Sequence, residues 1–534
     1  MTKKMKRALA IVMSVFILLA VMAGCGKATE TNAGTTTAES TPASTADTAA
    51  ASTAPAGPDI SNEVTLKWMY HGSTVTDDKA VMEKINAYLK DKINAKLQMV
   101  WCTWGDFDER VRLSINGGDP MDIYFTCSWS ADEYAATAKK GAFVRLDKPD
   151  DNLLEKYAPK LFESLNPVLA DAATTDGPDG VGVYGVPTYK EIAQQYTWDI
   201  NSNMLKKYGY TPDDVKDYYE FGPMLEKIKQ GEGKDFYPLN SEPAVLERFV
   251  NHNDYVDTAL LLSYEFDPVD PTKSGTTLVS RYETPGYKKF VENTREYFQK
   301  GYISPEAANA QTMANNRTAM EKSAKYAIGT QVYSPGYEAV TSPERKIDVV
   351  YKPAQSGIIS TTSARGAMQA ISTTSKDPGR ALMLLNLVNT DSTLFTMLEY
   401  GVEGVHYTKE ADGRVKLNQD KRKEYNPWRA GLGKLSNLPV TTDDPANLWE
   451  LFDKFNNAGK PVPILGWAFD SEPVKNEVAA LTNVSREYAD TLNAGSVDPN
   501  LKLPEFISKL KANGIDKVLD EANKQLKAFL DAKK

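Results

Sequence analysis

Apolar and polar positions alternate through residues 63–71 (EVTLKWMYH), the pattern of a half-buried strand. In residues 77–93, Val81, Ile85, Leu89 and Ile93 recur four apart, which predicts an amphipathic helix with acidic residues at its start. Residues 96–102 (KLQMVWC) predict a second strand and 107–115 a second helix, closed by Gly117-Gly118. Residues 121–127 (MDIYFTC) predict a third strand and 130–140 a third helix. This alternation predicts a parallel, doubly wound α/β sheet, in which ligands bind beyond the carboxyl ends of the strands. Those ends read His71-Gly72-Ser73, Trp101-Cys102-Thr103-Trp104 and Thr126-Cys127-Ser128-Trp129. A Trp just past a strand either packs under a loop or offers its face to a ligand, and both readings stay open for Trp104 and Trp129. A sugar suits the second, because its axial C–H groups stack on an indole while its hydroxyls need amides, hydroxyls and carboxylates. Asp122 and Asp147 are assigned structural roles, capping turns or bonding local backbone.

The pattern continues with a strand at 183–188 (VYGVPT), helices at 201–208 and 212–229, and a short strand at 236–239. Residues 284–300 predict a helix with Tyr287, Phe290, Val291 and Tyr297 on one face, and 347–352 another strand. Ala367, Ala370 and Ile371 give a strand, Pro378 opens a helix, and Gly401 and Gly404 bracket a turn that presents His406 and Tyr407. Ser471 and Pro473 supply helix-start chemistry in residues 463–484, just after Trp467 and Phe469. A packed, charge-faced helix at 515–529 closes the chain. No internal repeat at a solenoid period is present.

The amino terminus changes the picture. MTKKMKR carries four basic side chains and no acid, and an apolar run follows from Ala8 to Ala23, broken only by Ser14. That run is shorter than the ~18 residues of a spanning helix and has the form of an export signal over residues 1–24. Residues 28–58 are almost entirely Thr, Ala, Ser, Gly and Pro, so residues 25–60 are expected to form a disordered tether. Removal of residues 1–24 takes away four positive charges and no negative ones, moving the net charge from −9 to −13. An acidic mature chain argues against a nucleic-acid partner. With three His and no pair at ligand spacing, a His-based metal site is not expected, and no cofactor is implied. Cys102 and Cys127 are expected to be free or buried thiols, although export permits a disulfide.

Met22-Ala23-Gly24-Cys25 is similar to a bacterial lipobox, with Met where Leu is usual, and the resemblance implies cleavage before Cys25 and lipid on its sulfur. The unit at 366–407, the words GGDPMDIYFT (117–126) and GAFVRLD (141–147), and KYAIGTQVY (325–333) resemble bacterial extracellular solute-binding proteins that serve ABC importers. Residues 426–529, including VDPNLKLPEF and LKANGIDKVLDEANKQLKAF, resemble the uncharacterised carboxyl-terminal region of LipO-like lipoproteins, a subgroup of that family. The implied fold is α/β and periplasmic-binding-protein type II-like: two α/β lobes with a hinge and a central ligand cleft. Residues 61–187 plus 366–408 would form the first lobe, and 188–365 plus 409–534 the second.

By the same resemblance, Tyr189 and Trp198 follow the first link between lobes and are candidates for the cleft. Tyr333 and Tyr337 sit after a strand that points back into it, unless they are surface-loop aromatics. Trp467 would reach the cleft from the second lobe by topology with maltose-binding protein. Asp470 and Glu472 either accept ligand hydroxyls or cap the helix, and His406 completes the candidates. The implied protein is a monomeric, lipid-anchored receptor on the outer membrane face that passes an oligosaccharide to permease subunits without covalent chemistry. A binding protein for peptide or another small solute is the alternative. A secreted glycoside hydrolase would need two carboxyls at defined separation, and no motif marks such a pair.

Overall fold

The computed structural model describes residues 58–71, 74–130, 132–251, 253–256, 261–265, 267 and 270–533. The expected leader, Cys25 and the tether as far as residue 57 lie outside the described residues. The chain begins with β1 (Val64–Tyr70), α1 (Lys79–Ile93), β2 (Ala95–Trp101), α2 (Phe107–Gly117), β3 (Ile123–Thr126) and α3 (Tyr134–Lys139), then reaches β4 (Val186–Pro187). A second group follows: β5 (Tyr196–Asn201), β6 (Leu239–Asn240), α4 (Pro285–Gln299), β7 (Ile328–Val332) and β8 (Val349–Pro353). The chain then returns as β9 (Met368–Ile371), α5 (Pro378–Thr390) and α6 (Ser392–Tyr400). It ends with α7 (Leu448–Ala458), α8 (Lys475–Asn493), α9 (Pro499–Ala512) and α10 (Ile515–Ala532).

Two sheets result. The first has the order β2-β1-β3-β9-β4, with β1, β2 and β3 parallel and β9 antiparallel to both its neighbours. The second has the order β8-β5-β7-β6, with β5 antiparallel to β7 and β8. The amphipathic spacing of α1 buries Val81, Ile85, Leu89 and Ile93 against the first sheet, each contributing about 1.5–3 kcal/mol. Among the described residues no single helix is long and apolar enough to cross a membrane; the apolar pair α5 and α6 is bent by 87° and its apolar side chains are largely buried.

Each sheet has its own hydrophobic core. The first core takes side chains from Leu66 to Val186 and again from Ala367 to Phe452, the second from Tyr196 to Ile358 and again from Val462 to Leu526. The expected passage into the second lobe at residue 409 is therefore corrected: Tyr407, Val415, Tyr425, Leu432, Leu438 and Phe452 all pack in the first core. The cause is tertiary. Tyr425–Asn426 pairs antiparallel with Thr74–Val75 beside β1, and this anchors the following irregular stretch to the first sheet.

One predicted helix is also corrected. Residues 212–229 form two single turns, Pro212–Asp214 and Tyr218–Glu220, before a helix at Gly222–Glu232. Asp217 accepts the Tyr219 N–H and starts a new turn, and Pro223 falls where only a first helical turn tolerates it.

Three segments join the cores. Gln194 and Ile358 exchange backbone hydrogen bonds of 2.7 and 3.0 Å, and Ile358–Ile359 pairs in parallel with Lys460–Pro461. A small apolar cluster of Leu165, Leu169, Ala172, Ile192, Ala193, Ile359, Ala364 and Leu465 packs around this junction. Arg365 lies fully buried there, its guanidinium donating to the carbonyls of Ala172 (2.6 Å), Thr174 (2.9 Å) and Gly466 (3.1 Å).

Candidate ligand-binding site

Trp104 and Trp129 stand past the carboxyl ends of β2 and β3 and are 59% and 44% exposed. Each loop is fixed from below. The Asp106 carboxylate accepts from Thr103 N (2.6 Å) and Thr103 Oγ1 (2.8 Å), which closes the turn carrying Trp104. The Trp129 indole donates to the Gly366 carbonyl at 2.7 Å, and Ser128 donates through N to Arg365 (3.0 Å) and through Oγ to Thr362 (2.7 Å). Trp129 is thereby tied to the junction segment that leads into β9.

A third ring joins them from far along the chain. Trp428 follows the Tyr425–Asn426 strand, and the Tyr70 hydroxyl at the end of β1 donates to its carbonyl. Gln369 of β9 accepts the Trp68 indole N–H (2.9 Å) and donates to the Gly431 carbonyl, which also accepts from Thr188 Oγ1 (3.2 Å). A Cβ on Gly431 would lie 2.4 Å from the Tyr70 hydroxyl and 2.8 Å from the Trp428 ring, so the close approach of this loop requires glycine.

The rings meet edge and face. Trp104 and Trp129 are near-parallel with centroids 6.1 Å apart, and Trp428 stands across them at 5.2 and 6.1 Å. His71, at the end of β1, is the floor: it stacks on Phe107 (4.4 Å) and meets Trp104 (4.3 Å) and Trp129 (5.3 Å) edge-on. Only 3% of it is exposed, burial lowers its pKa to about 4, and Nδ1 has no hydrogen-bond partner. His71 is therefore a neutral ring at physiological pH. The strand-end reasoning led to Trp104, Trp129 and the neighbourhood of His71. It missed Trp428, because nothing local in residues 426–431 shows that this loop returns to β1.

The other candidates divide. Tyr333 and Tyr337 follow β7 and are half-buried, with rings 6.3 Å apart, and both contact Tyr351 at 6.0–6.1 Å. Tyr333 also meets Phe455 of α7 at 5.5 Å. Burial raises the Tyr337 pKa to about 12, with Glu191 adding and Arg429 opposing. Arg429, the neighbour of Trp428, thus stands within electrostatic reach of the second-sheet aromatics. Tyr189 is half-buried, donates to Asp453 at 3.0 Å and lies under the Lys434 ammonium. These three tyrosines gather near α7.

Trp467, His406 and Glu472 are corrected, and Trp198 lies away from the tryptophan platform. Trp198 is 2% exposed in β5, packed on Phe221 (5.1 Å) and Phe249 (6.0 Å) in the second core. Trp467 is 6% exposed in the same core beside Phe469. The His406 ring is buried against Tyr425, and its Nδ1 accepts the Val402 N–H at 3.1 Å, so it locks the Gly401–Gly404 turn. Glu472 is exposed and pairs with Lys475. Asp470 accepts the Glu472 N–H (3.1 Å) and forms an ion pair with Lys139 of α3 (2.7 Å). Asp122 accepts from Lys67 N (2.8 Å) and Ser375 Oγ (2.5 Å), and Asp147 accepts from Val183 N (2.9 Å), which are the structural roles expected of them.

Cys102 and Cys127 are separate buried thiols, with pKa values pushed up by burial to about 11 and about 12. Among the described residues, no group of three or more His, Cys, Asp or Glu side chains is placed to hold a metal ion.

Comparison with known proteins places this geometry. Residues 463–531 match a family described as a domain of unknown function (DUF3502). The chain is 26% identical over 481 residues to a carbohydrate ABC transporter substrate-binding protein of Streptococcus pneumoniae serotype 4 (strain ATCC BAA-334 / TIGR4), covering 89% of this chain and 93% of that protein. It is 21% identical over 404 residues to the polygalacturonan/rhamnogalacturonan-binding protein YtcQ of Bacillus subtilis (strain 168), covering 72% and 74%. The crystal structure of the N-glycan transport solute-binding protein NgtS from Streptococcus pneumoniae superposes with a TM-score of 0.76 at 26% identity, covering 88% of this chain and 100% of that one. Two packed α/β cores, a three-segment junction, and these relatives over most of the length lead to one conclusion: the chain has the type II-like fold and is similar over most of its length to substrate-binding proteins of ABC transporters.

Proposed function

We propose that this protein captures a carbohydrate, an oligosaccharide rather than a single sugar, and passes it to the permease subunits of an ABC importer. It does so from the outer face of the cell membrane, held there by lipid on Cys25. The observation that carries the reading is the platform of Trp104, Trp129 and Trp428 past the strand ends of the first sheet. Centroid spacings of 5.2–6.1 Å mean that the rings touch one another. What they leave for a ligand are their outer faces, which suit the C–H face of a pyranose. The neutral His71 beneath adds no charge to attract an ion.

The relatives agree with this chemistry. One is a carbohydrate substrate-binding protein, and NgtS has been crystallised with Man1GlcNAc. They are binding proteins, so the role is capture and release without turnover. Tyr333, Tyr337 and Tyr189 supply the candidate contacts from the other side of the junction.

Calorimetric titration with neutral oligosaccharides against short peptides tests the reading. Saturable oligosaccharide binding is expected, and Trp129→Ala is expected to weaken it by roughly 1–3 kcal/mol, the scale of stacking on an aromatic ring. Peptide binding with no response to sugars, or sugar affinity untouched by Trp104→Ala, Trp129→Ala and Trp428→Ala alike, overturns it. Detection of shortened products would mark a hydrolase instead.

A further inference from the structure

A cavity of about 920 Å³ opens on the second lobe, bordered by none of the three platform tryptophans. That is within the usual range for small-molecule sites. Its aromatic wall includes Trp198, Tyr219 and Phe249, and the first turn of α4 (Thr284, Pro285, Gly286) lines it as well. The charged side chains at the cavity are Lys216 and Lys289 on one hand and Asp217 and Glu265 on the other. Trp198 is 98% buried, and its Nε1 N–H has no acceptor. The Lys289 ammonium is held 3.6 Å from the centre of the Tyr219 ring, and neither it nor Lys216 forms an ion pair among the described residues.

The helix α4 runs for 15 residues, and its positive end lies at the cavity with a side-chain-free Gly286 in the first turn. The Thr284 hydroxyl accepts the Tyr287 N–H (3.1 Å) and the Thr284 carbonyl the Lys288 N–H (3.2 Å), and Pro285 has no N–H, so Gly286 supplies the remaining first-turn N–H. Acceptors border the cavity as well. The Asp217 carboxylate accepts the Tyr219 N–H (3.0 Å), and Glu265 stands exposed at the rim. Asn251 donates to Glu247 (2.9 Å), which fixes its amide and leaves its oxygen toward Gly286.

We propose that this cavity is a second solute site, separate from the tryptophan platform, which takes a small sugar acid. The carboxylate lies between Lys289 and the amino end of α4, the ring lies against Tyr219, and hydroxyls reach Glu265 and Asn251. An indole N–H without an acceptor and a preplaced ammonium without a carboxylate favour an oxygen-rich anion over a neutral apolar guest.

Titration of the whole chain with glucuronate, using glucose as the uncharged counterpart, tests the site. Glucuronate is expected to bind, at least about tenfold more tightly than glucose and more weakly at high salt. Lys289→Gln and Lys216→Gln are each expected to weaken glucuronate severalfold. Trp198→Phe, which keeps a ring in the core and deletes the N–H, is expected to do the same. Trp129→Ala is expected to leave glucuronate binding unchanged, so the result is independent of whether the platform binds sugar. No binding of glucuronate at millimolar concentration overturns the proposal, as does equal binding of glucose. Loss of glucuronate binding in Trp129→Ala also overturns it, by moving the sugar acid to the platform.

Discussion

At the scale of single residues, two buried ionisable groups oppose each other in pH. His71 is held neutral by burial, with its pKa lowered from 6.5 to about 4. Unfolding lets it bind a proton between those values, so its contribution to stability is complete above pH 6.5 and is lost as pH falls toward 4. Glu399 lies fully buried in α6, and burial raises its pKa from 4.5 to about 7 against the pull of Arg422 and Arg429. The folded protein then holds the proton more tightly than the unfolded chain. That contribution is complete below pH 4.5 and is lost as pH rises through 7. Thermal melts of His71→Gln and Glu399→Gln across this range are expected to differ from the parent in opposite senses. His71→Gln should flatten the decline on the acid side, and Glu399→Gln the decline on the neutral side. Parallel profiles for the parent and both variants would show that neither group is buried as described.

At the scale of elements, the junction is the most sensitive part of the fold. A Cβ on Gly459 would lie 2.5 Å from Ala193 Cβ and 3.1 Å from Ile359 Cγ1, so three crossing segments meet with no room for a methyl group. Gly459→Val is expected to lower stability by about 1–3 kcal/mol, as overpacking does, measured by denaturant unfolding. It is also expected to weaken solute binding, because the segment carrying Phe455 and the Tyr333 contact runs into this point. Stability equal to the parent would mean that the crossings separate more easily than their hydrogen bonds suggest. The elements that periodicity predicted well are those with a single buried face, such as α1 and α4. The region at 212–229 was misread because local capping by Asp217 outweighed a helix-compatible pattern.

At the scale of the molecule, the proposed function requires the two cores, joined by three segments, to act as a clamp in which a bound solute gains contacts from both sides on closure. Lys139 on α3 and Asp470 in the carboxyl-terminal region already bridge the two parts. Solution scattering with and without an oligosaccharide that binds is expected to show a smaller radius of gyration in the bound form. Lys139→Ala is expected to change the free form more than the bound one. An unchanged radius on saturation would mean that the solute rests on the platform without closure.

The sequence by itself determined the class of fold and the first run of strands and helices, and it placed Trp104 and Trp129 past strand ends with both of their roles left open. All of these follow from local periodicity and from a topological rule that needs no contacts. Only the tertiary structure decided which aromatics face outward. Trp104 and Trp198 each lie at or near a strand, but one sits in a loop held open by Asp106 and the other on the covered face of a sheet. Tertiary packing also brought Trp428 beside Trp104 across more than 300 residues and carried residues 409–452 into the first core. The physical reason is common to these cases: burial is set by what packs on a residue from distant parts of the chain, and hydrophobic spacing records only that some partner exists.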